Sequence, residues 1–346
     1  MINCDKFNYH SLFLKEEITA IFCSMKALER HINGKNMKNI KRLIDLSFNE
    51  MNTYNANELK ESIRKCEGRV FCGQTNSLAP GIISGTTNAE IIAALGTDMI
   101  LMNAYNVNND KYNKGMQGYN LKDIKNLTRN MLGVFLEAKS YCDDTSNPFG
   151  SPEFLKGRVS NEENINECLN QGVQFMIIGG NPGMQTKLDD TVEAVKNAKK
   201  IIDNRCLIMA GKWEEGVDEK VFGDPNAEYD SKTYIKKLVE VGCDVVIFAA
   251  PGSRAAINVD CIRDLVTYTH SLGALAMCLL DSSVEGADTA TIRQIALMMK
   301  QTGADIHTIG DAGYNGIAVP ENIYAMSLAL RGRKITLKKM ATRNRE

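Results

Sequence analysis

Short, unbroken apolar runs recur eight times along the chain, and each is followed by a glycine-rich or polar loop and then by a helical pattern. Strands that are apolar on both faces are typical of a parallel sheet covered by helices. Eight such units predict a closed (β/α)8 TIM barrel, and an open doubly wound sheet is the alternative. The predicted strands are Val70–Gln74, Met99–Asn103, Leu132–Glu137, Phe175–Gly179, Leu207–Gly211, Val245–Ala249, Leu275–Leu280 and Ile306–Ile309.

The N-terminal segment 1–36 differs from this pattern. Leu14, Ile18, Phe22 and Met25 recur at helical spacing among charged residues, which predicts one amphipathic helix. Met37 is a candidate for the true start of the protein, so the segment is either a native leader or an upstream extension. We therefore predict a helical extension over residues 1–36 and a barrel over residues 37–346.

The loops between the predicted elements differ in length. The turns from helix to strand are short and carry a glycine just past the helix, where a left-handed cap is expected. By contrast, three long polar loops follow strands: Asn106–Asn120, Lys139–Ser160 and Glu214–Asp230. Loops that follow strands all lie at the C-terminal face of a barrel, where barrel enzymes place their active sites. The asymmetry predicts a functional site on that face.

Composition and charge narrow the class of partner. The 346 residues carry a net charge of −1 with Lys and Arg scattered, so nothing predicts binding to nucleic acid or to an anionic membrane surface. There is no bilayer-length apolar run and no secretory signal, and the ten cysteines show no C-x-x-C spacing. We expect a cytoplasmic protein that binds a small molecule and no nucleic acid or membrane; a homo-oligomer is left open.

Three charged residues near the ends of predicted strands are candidates for catalysis: Lys212, Glu137 and Asp281. A charge at the end of an apolar strand faces a partly dry pocket, where it costs free energy unless it is paired or used. Lys212 is a candidate Schiff-base nucleophile or proton-transfer group, and Glu137 is a candidate general base. In the alternative interpretation, Lys212 is a rim lysine that pairs with Glu137 or Asp281.

Polar residues at other strand ends are candidates for binding a substrate or a metal ion. No cofactor is required by the sequence, and four histidines without an H-E-x-x-H motif argue against zinc. A Mg²⁺ site built from Glu137, Asp281 and Asp311 is an open hypothesis, because this cation prefers oxygen ligands. His307, inside the last strand, is interpreted as a core histidine. The predicted substrate-binding residues are Gln74, Asn103, Asn181, Gly183 and Glu285.

The stretch from Gly310 to Ile323 predicts a phosphate cradle. Three glycines follow the last predicted strand, and Pro320 then opens a helical pattern. Glycines let backbone N–H groups turn towards an anion, and loops after the seventh and eighth strands bind phosphate in many barrels. The alternative is an ordinary strand-to-helix turn, and Asp311 and Glu321 would repel a dianion unless they point away or hold a metal ion. The predicted phosphate-binding residues are Ser282, Ser283, Gly310, Gly313 and Gly316.

Several motifs resemble those of a known protein family. They are Ile309-Gly310-Asp311-Ala312-Gly313-Tyr314, Pro320-Glu321-Asn322-Ile323, Asn181-Pro182-Gly183, Ala210-Gly211-Lys212 and Glu285-Gly286-Ala287-Asp288. From about Met37 to Met340 the chain resembles a bacterial family of TIM barrels of unassigned function, whose members carry labels such as phosphoenolpyruvate phosphonomutase or haloacid dehalogenase. This sequence has neither the lysine-cysteine-glycine-histidine run nor the early aspartate-x-aspartate motif of those enzymes. The resemblance implies the barrel and a site in its loops, and it implies no catalytic residue.

These observations favour an enzyme that acts on a small phosphorylated metabolite, such as a sugar phosphate. Isomerase, epimerase or aldolase-type lyase chemistry would use Lys212 and Glu137 for proton transfer or a Schiff base, with Asn103 and Asn181 orienting hydroxyl groups. One alternative is a Mg²⁺-dependent lyase or mutase with an enolate intermediate. Another is a barrel without catalytic activity that binds a metabolite and regulates a partner.

Overall fold

Eight parallel strands form a closed barrel in sequence order, and the last strand pairs with the first. The computed structural model describes residues 39–139, 151–214 and 219–342, and the barrel is the compact unit Lys41–Glu346. The chain is a (β/α)8 TIM barrel, as the apolar pattern predicted; the predicted extension over residues 1–36 lies outside the described residues. The strands are β1 (Val70–Asn76), β2 (Met99–Asn103), β3 (Met131–Glu137), β4 (Phe175–Gly179), β5 (Leu207–Gly211), β6 (Val245–Ala249), β7 (Leu275–Leu280) and β8 (Ile306–Ile309).

Helices alternate with the strands and form the outer layer. In the described parts of the chain, no helix is both long enough and apolar enough to cross a membrane. Two helices precede the barrel, α1 (Phe48–Met51) and α2 (Ala56–Arg64), and the short α5 (Pro152–Leu155) lies in the loop after β3. The others are α3 (Asn88–Ala94), α4 (Leu121–Thr128), α6 (Glu162–Asn170), α7 (Leu188–Ile202), α8 (Ser231–Glu240), α9 (Val259–Ser271), α10 (Thr289–Gln301) and α11 (Pro320–Thr342).

Side chains alternate between the helix layer and the barrel interior. A Cβ at Gly73 would come within 2.4 Å of a side chain of α3, so this glycine faces the helices. Successive strand residues point to opposite faces, and Gln74, only 3% exposed, therefore points into the barrel. The interior is filled partly by Phe135 and Trp213, whose rings pack edge to face with centroids 6.0 Å apart. A Cβ at Gly179 would lie 3.0 Å from Trp213, so the glycine at the end of β4 makes room for the indole.

The turns into the strands have the predicted glycine caps. Gly242, between α8 and β6, has φ +107°, and Gly303, between α10 and β8, has φ +83°. At Gly242 a side chain would also collide with Lys199, at 2.6 Å from its Cγ. Only glycine adopts this backbone conformation without strain, which explains why short turns suffice on this face.

The last helix is tied to the start of the barrel. Arg331 of α11 pairs with Asp98, in the turn before β2, and both side chains are fully buried. Asp98 also accepts a hydrogen bond from Phe71 N at 3.0 Å, and Lys339 Nζ lies 3.3 Å from its other oxygen. Buried charges are stable only when they are paired and hydrogen-bonded, so this cluster fastens α11 to the N-terminal end of β1 and β2.

His307 and the cysteines belong to the core. The His307 ring is fully buried, its Nε2 lies 3.2 Å from Gly68 O, and burial lowers the pKa of the ring to about 4. Seven cysteines in the described part of the chain are free thiols, and six of them are buried. His307 is a core histidine, as the sequence predicted, and the six buried cysteines pack as small apolar side chains.

Candidate active site

A pocket of about 380 Å³ lies at the C-terminal ends of the strands, on the face that the long loops predicted. Its volume is at the lower end of the range for small-molecule sites, about 300–1,000 Å³. Each polar side chain that lines it stands at or within three residues of the end of a strand. These side chains are Asn76, Asn103, Asn181, Glu214, Asp281 and Asp311.

Three carboxyl groups meet in this pocket, and burial is the largest cause that raises the pKa of each one. For Asp281, the charges of Asp311 and Glu285 add to burial and raise its pKa to about 8. For Asp311, a hydrogen bond from Asn103 partly offsets burial, and its pKa is raised to about 6. The pKa of Glu214 is raised well above its ordinary value by burial and then by Asp281. Near neutral pH, the pocket therefore holds protonated and ionised carboxyl groups side by side.

Two amides orient the aspartates. Asn103 donates from Nδ2 to Asp311 Oδ2 at 3.2 Å, and its Oδ1 accepts a hydrogen bond from Ala104 N at 2.8 Å, which fixes the amide in one orientation. The neighbouring side chain of Gln74 lowers the pKa of both Asp281 and Asp311. Of the residues predicted to bind substrate, Asn103 thus contacts a carboxyl group directly, and Gln74 lies close enough to influence two of them.

Arg254, in the loop after β6, supplies a positive charge that the sequence analysis missed. Its Nε donates to Trp213 O at 2.7 Å, and its Nη2 donates to Asp281 O at 3.1 Å. The guanidinium charge lowers the pKa of both Asp281 and Glu214. Arg254 stands five residues beyond the end of β6, so a search of strand ends passes over it. Glu214, three residues beyond the end of β5, was also not predicted to belong to the site.

Glu137 lies in a buried ion pair behind the pocket. Its Oε1 is 2.9 Å from Arg158 Nη2, and both side chains are fully buried. It also accepts hydrogen bonds from Asn181, at 2.6 Å from Nδ2 and 3.1 Å from the backbone N. The partner is therefore Arg158, not Lys212 as the alternative interpretation proposed. Glu137 holds Asn181, which lines the pocket, in place.

Lys212 belongs to a different group of contacts. Its Nζ donates to Thr186 O at 3.0 Å, and it lines a small cavity beside the acidic pocket. Glu214 lines both cavities, so they share one carboxyl group. Lys212 donates to Thr186 O whereas Glu137 pairs with Arg158, and their joint role in proton transfer stays a prediction. Neither residue is among those that line the pocket of Asp281 and Asp311.

Glu285 already accepts hydrogen bonds from the backbone N–H groups that the phosphate hypothesis requires as donors to a ligand. Its carboxylate accepts hydrogen bonds from Ser282 N at 3.2 Å and from Ala312 N at 3.0 Å. The residue is fully buried, whereas the sequence analysis placed it among the groups that touch substrate. A Cβ at Gly310 would lie 2.8 Å from Glu285 Oε1 and 2.8 Å from Asp281 Oδ1, so this glycine admits two carboxylates.

The remaining predicted anion and substrate residues are spread over the same face. Ser283 and Gly183 are exposed and do not line the pocket. Gly313 packs against the backbone of Glu285, where a Cβ would come within 3.2 Å. Gly316, with φ +77°, lines the pocket, and its carbonyl oxygen accepts a hydrogen bond from Asn76 N at 2.9 Å.

The predicted Mg²⁺ ligand set does not form. Glu137 is paired with Arg158 and does not line the pocket of Asp281 and Asp311. Within residues 39–139, 151–214 and 219–342, no three His, Cys, Asp or Glu side chains are placed to hold a metal ion. Mg²⁺ stays a prediction without a supporting ligand cluster in that part of the chain.

Comparison with known proteins places the chain in a family. A family profile described as "Domain of unknown function (DUF7916)" matches residues 44–345. The chain belongs to this family. The match spans nearly the whole barrel unit and agrees with the resemblance to a TIM-barrel family of unassigned function. A search of the curated proteins finds no match.

Solved structures share the fold at low sequence identity. The carboxyl transferase domain of Rhizobium etli pyruvate carboxylase is similar at TM-score 0.50 and 12% identity, over 88% of this chain and 53% of that chain. This chain thus spans about half the length of that one. The Amycolatopsis orientalis BexX/CysO complex gives TM-score 0.44 at 14% identity, over 80% and 90% of the two chains. Thiamine phosphate pyrophosphorylase from Pyrococcus furiosus gives 0.41 at 13%, over 79% and 98%. At 12% identity, the likeness to the carboxyl transferase domain shows the fold alone.

Proposed function

We propose that this barrel is an enzyme that transfers protons on a small hydroxy-carbonyl metabolite, as an isomerase or a lyase. The supporting observation is the pair Asp281 and Asp311, two carboxyl groups in one pocket whose pKa values are raised to about 8 and about 6. A catalyst that gives and takes protons near pH 7 needs one group of each kind.

The environments of the two aspartates assign their roles. Asp311 receives the hydrogen bond from Asn103, which favours its ionised form, so Asp311 is the base. Asp281 stands beside the charges of Asp311 and Glu285, which favour its protonated form, so Asp281 is the acid. Asp311 would remove a proton from the carbon next to a carbonyl group while Asp281 gives a proton to the carbonyl oxygen. Return of the proton from Asp311 to the former carbonyl carbon, while the adjacent hydroxyl group gives its proton to Asp281 and becomes the new carbonyl group, completes an isomerisation. Transfer of the proton from Asp311 to a β-hydroxyl group, which leaves as water while the enol hydroxyl group returns its proton to Asp281, completes an elimination.

The other polar groups of the pocket suit hydroxyl recognition. Asn181 donates from Nδ2 to Glu137, which leaves its amide oxygen as an acceptor for a substrate hydroxyl group. Burial raises the pKa of Glu214, which favours its protonated, hydrogen-bond-donating form at the same pocket. Several amide and carboxyl groups around about 380 Å³ favour a polyhydroxylated compound over an apolar one.

A Schiff-base mechanism is less well supported than proton transfer. It requires Lys212 at the reacting carbon, and the Lys212 amine is directed to Thr186 O beside the pocket. A phosphate group on the substrate stays a prediction from the sequence, and the contacts of Glu285 weigh against it.

Hydrogen exchange tests the proposal. The protein is incubated in D2O with aldoses, ketoses and 2-hydroxy acids, each also as its phosphorylated counterpart, and loss of the signal of the proton next to the carbonyl group is followed by ¹H NMR. Asp311→Asn should abolish exchange. Asp305→Asn is the matched control, because Asp305 is a buried aspartate at the other end of β8 that contacts His270. Exchange that survives in Asp311→Asn contradicts the role of the base. Carboxyl ¹³C NMR provides a second test that needs no substrate: titration of both Asp281 and Asp311 below pH 5 contradicts the proposal.

A further inference from the structure

The N–H groups that follow the last two strands are the phosphate-binding groups of many barrels. In this chain the two N–H groups converge on one carboxylate. Ser282 N donates to Glu285 Oε2 at 3.2 Å, and Ala312 N donates to Glu285 Oε1 at 3.0 Å. Each carboxylate oxygen accepts one backbone hydrogen bond. The Glu285 carboxylate therefore fills the position that a phosphate group takes in those barrels.

The Glu285 carboxylate is held rigidly from behind. The residue is in the 3-10 turn Val284–Gly286 and is fully buried. Asn322, in the first turn of α11, donates from Nδ2 to Glu285 O at 2.9 Å and to Ala287 O at 2.7 Å. The missing side chain at Gly310 gives the carboxylate its room, since a Cβ there would lie 2.8 Å from Oε1. The loops after β7 and β8 hold the carboxylate, and α11 holds the backbone of the same residue.

The surrounding charges oppose a second anion. Asp281 Oδ1 lies against the same glycine as Glu285, and Asp311 follows that glycine directly. The charge of Glu285 raises the pKa of both aspartates, so the carboxyl groups already repel one another. A phosphate dianion would add to this repulsion, and Arg254 already directs its Nε and Nη2 to main-chain oxygens.

We propose that Glu285 is a specificity-determining residue that fills the phosphate position and restricts the pocket to hydroxy-carbonyl substrates without a phosphate group. The inference rests on the proposed function only in taking this pocket as the substrate site. It gives Ser282 and Gly310 a different task from the predicted one, because they accommodate Glu285 instead of a ligand. Removal of the carboxylate should expose two unsatisfied N–H groups and create a binding site for small anions.

Thermal unfolding with inorganic phosphate tests the proposal on the full chain. Three proteins are compared: wild type, Glu285→Ala and Leu59→Ala. The last is the control, because Leu59 is fully buried in α2 and its removal weakens the fold without exposing N–H groups of this kind. At 20 mM phosphate the Tm of Glu285→Ala should rise by about 2 °C or more beyond the rise of the control, since a ligand of millimolar affinity stabilises by mass action. The Tm of wild type should rise no more than that of the control.

Two results overturn the proposal: a phosphate response of wild type as large as that of Glu285→Ala, and a response of Glu285→Ala no larger than that of Leu59→Ala. If Glu285→Ala does not fold, a ³¹P NMR titration of wild type with inorganic phosphate decides. Saturable phosphate binding that sulfate displaces contradicts the proposal that Glu285 occupies the site. Absence of such binding supports the proposal. Proton exchange of aldose or ketose phosphates, but not of their unphosphorylated forms, also overturns it. Absence of proton exchange with every compound counts against the proposed function. It does not change the conclusion about Glu285 that is drawn from phosphate binding.

Discussion

Asn103, at the end of β2, donates a hydrogen bond to Asp311, two residues beyond the end of β8, over 3.2 Å. Strand β1 separates these two strands, so the bond crosses the closure of the barrel. Asn103 cannot turn its oxygen towards Asp311 without losing the bond from Ala104 N. One amide therefore makes Asp311 the more readily ionised carboxyl group of the pair.

Replacement of Asn103 should raise the pKa of Asp311. A hydrogen bond to a charged group is worth about 1.5–3 kcal/mol, which corresponds to about one to two pKa units. In Asn103→Leu, the carboxyl ¹³C titration of Asp311 and the rising limb of the exchange rate should both move to higher pH by at least about one unit. Asn130→Ala is the control, because Asn130 is a buried asparagine that bonds Thr97 O on the opposite face. An unchanged titration of Asp311 would show that the bond does not set its acidity.

Replacement of Asp281 should change how stability depends on pH. The pKa of Asp281 is raised from 3.8 to about 8, so between these values the folded state binds a proton that the unfolded state has lost. The contribution of Asp281 to the free energy of unfolding therefore falls as pH rises from about 4 to 8 and levels off above 8. The variant Asp281→Asn lacks this pH-dependent contribution. Its free energy of unfolding should therefore rise relative to that of wild type over the same pH range, by on the order of 2–5 kcal/mol in total. Urea unfolding from pH 5 to 9, with Asp305→Asn as the control, measures the difference, and parallel curves would refute it.

Removal of one partner alone from the ion pair of Glu137 and Arg158 should lower the free energy of unfolding strongly. Both side chains are fully buried, so Arg158→Met leaves an unpaired carboxylate and costs about 3–5 kcal/mol. The double variant Glu137→Leu with Arg158→Met should recover part of this loss. The exposed pair of Arg263 and Asp260 is the comparison, where Arg263→Met should cost less than about 1 kcal/mol. Equal losses at the two sites would contradict the structural role of Glu137.

Replacement of Lys212 separates proton transfer from Schiff-base chemistry. Because Lys212 does not line the acidic pocket, Lys212→Met should keep the proton-exchange rate within about a factor of ten of wild type. Borohydride treatment of wild type with any compound that exchanges should give no covalent adduct by mass spectrometry. Loss of more than about a hundredfold together with a trapped adduct would restore Lys212 to the reaction.

The fold could be predicted because its signals are local. Each apolar run specifies a buried strand, and each glycine after a helix specifies a tight turn, so eight repetitions of one unit determine a barrel without any knowledge of distant contacts. The rule that polar residues at strand ends face a site also found Asn103, Asn181, Asp281 and Asp311, which do line the pocket.

The rest of the site depends on contacts between residues far apart in sequence. Arg158 reaches Glu137 from a loop, and no sequence pattern around either residue predicts that the two form an ion pair. Lys212 satisfied the strand-end rule, but the rule does not say in which direction a side chain leaves the strand. Glu285 was predicted to bind substrate, but its carboxylate accepts hydrogen bonds from two backbone donors, one of them 27 residues along the chain at Ala312.

The contact of Arg331 with Asp98 has a consequence for synthesis of the chain. A ribosome releases Asp98 long before Arg331, and until the last helix emerges this aspartate lacks the arginine that balances it in the finished protein. A buried carboxylate without its partner opposes burial of the turn that carries it. We therefore expect the first strands to stay open during translation and the barrel to close only as the C-terminal helix is released, so that nascent chains stalled before Arg331 remain sensitive to protease at the turn of Asp98.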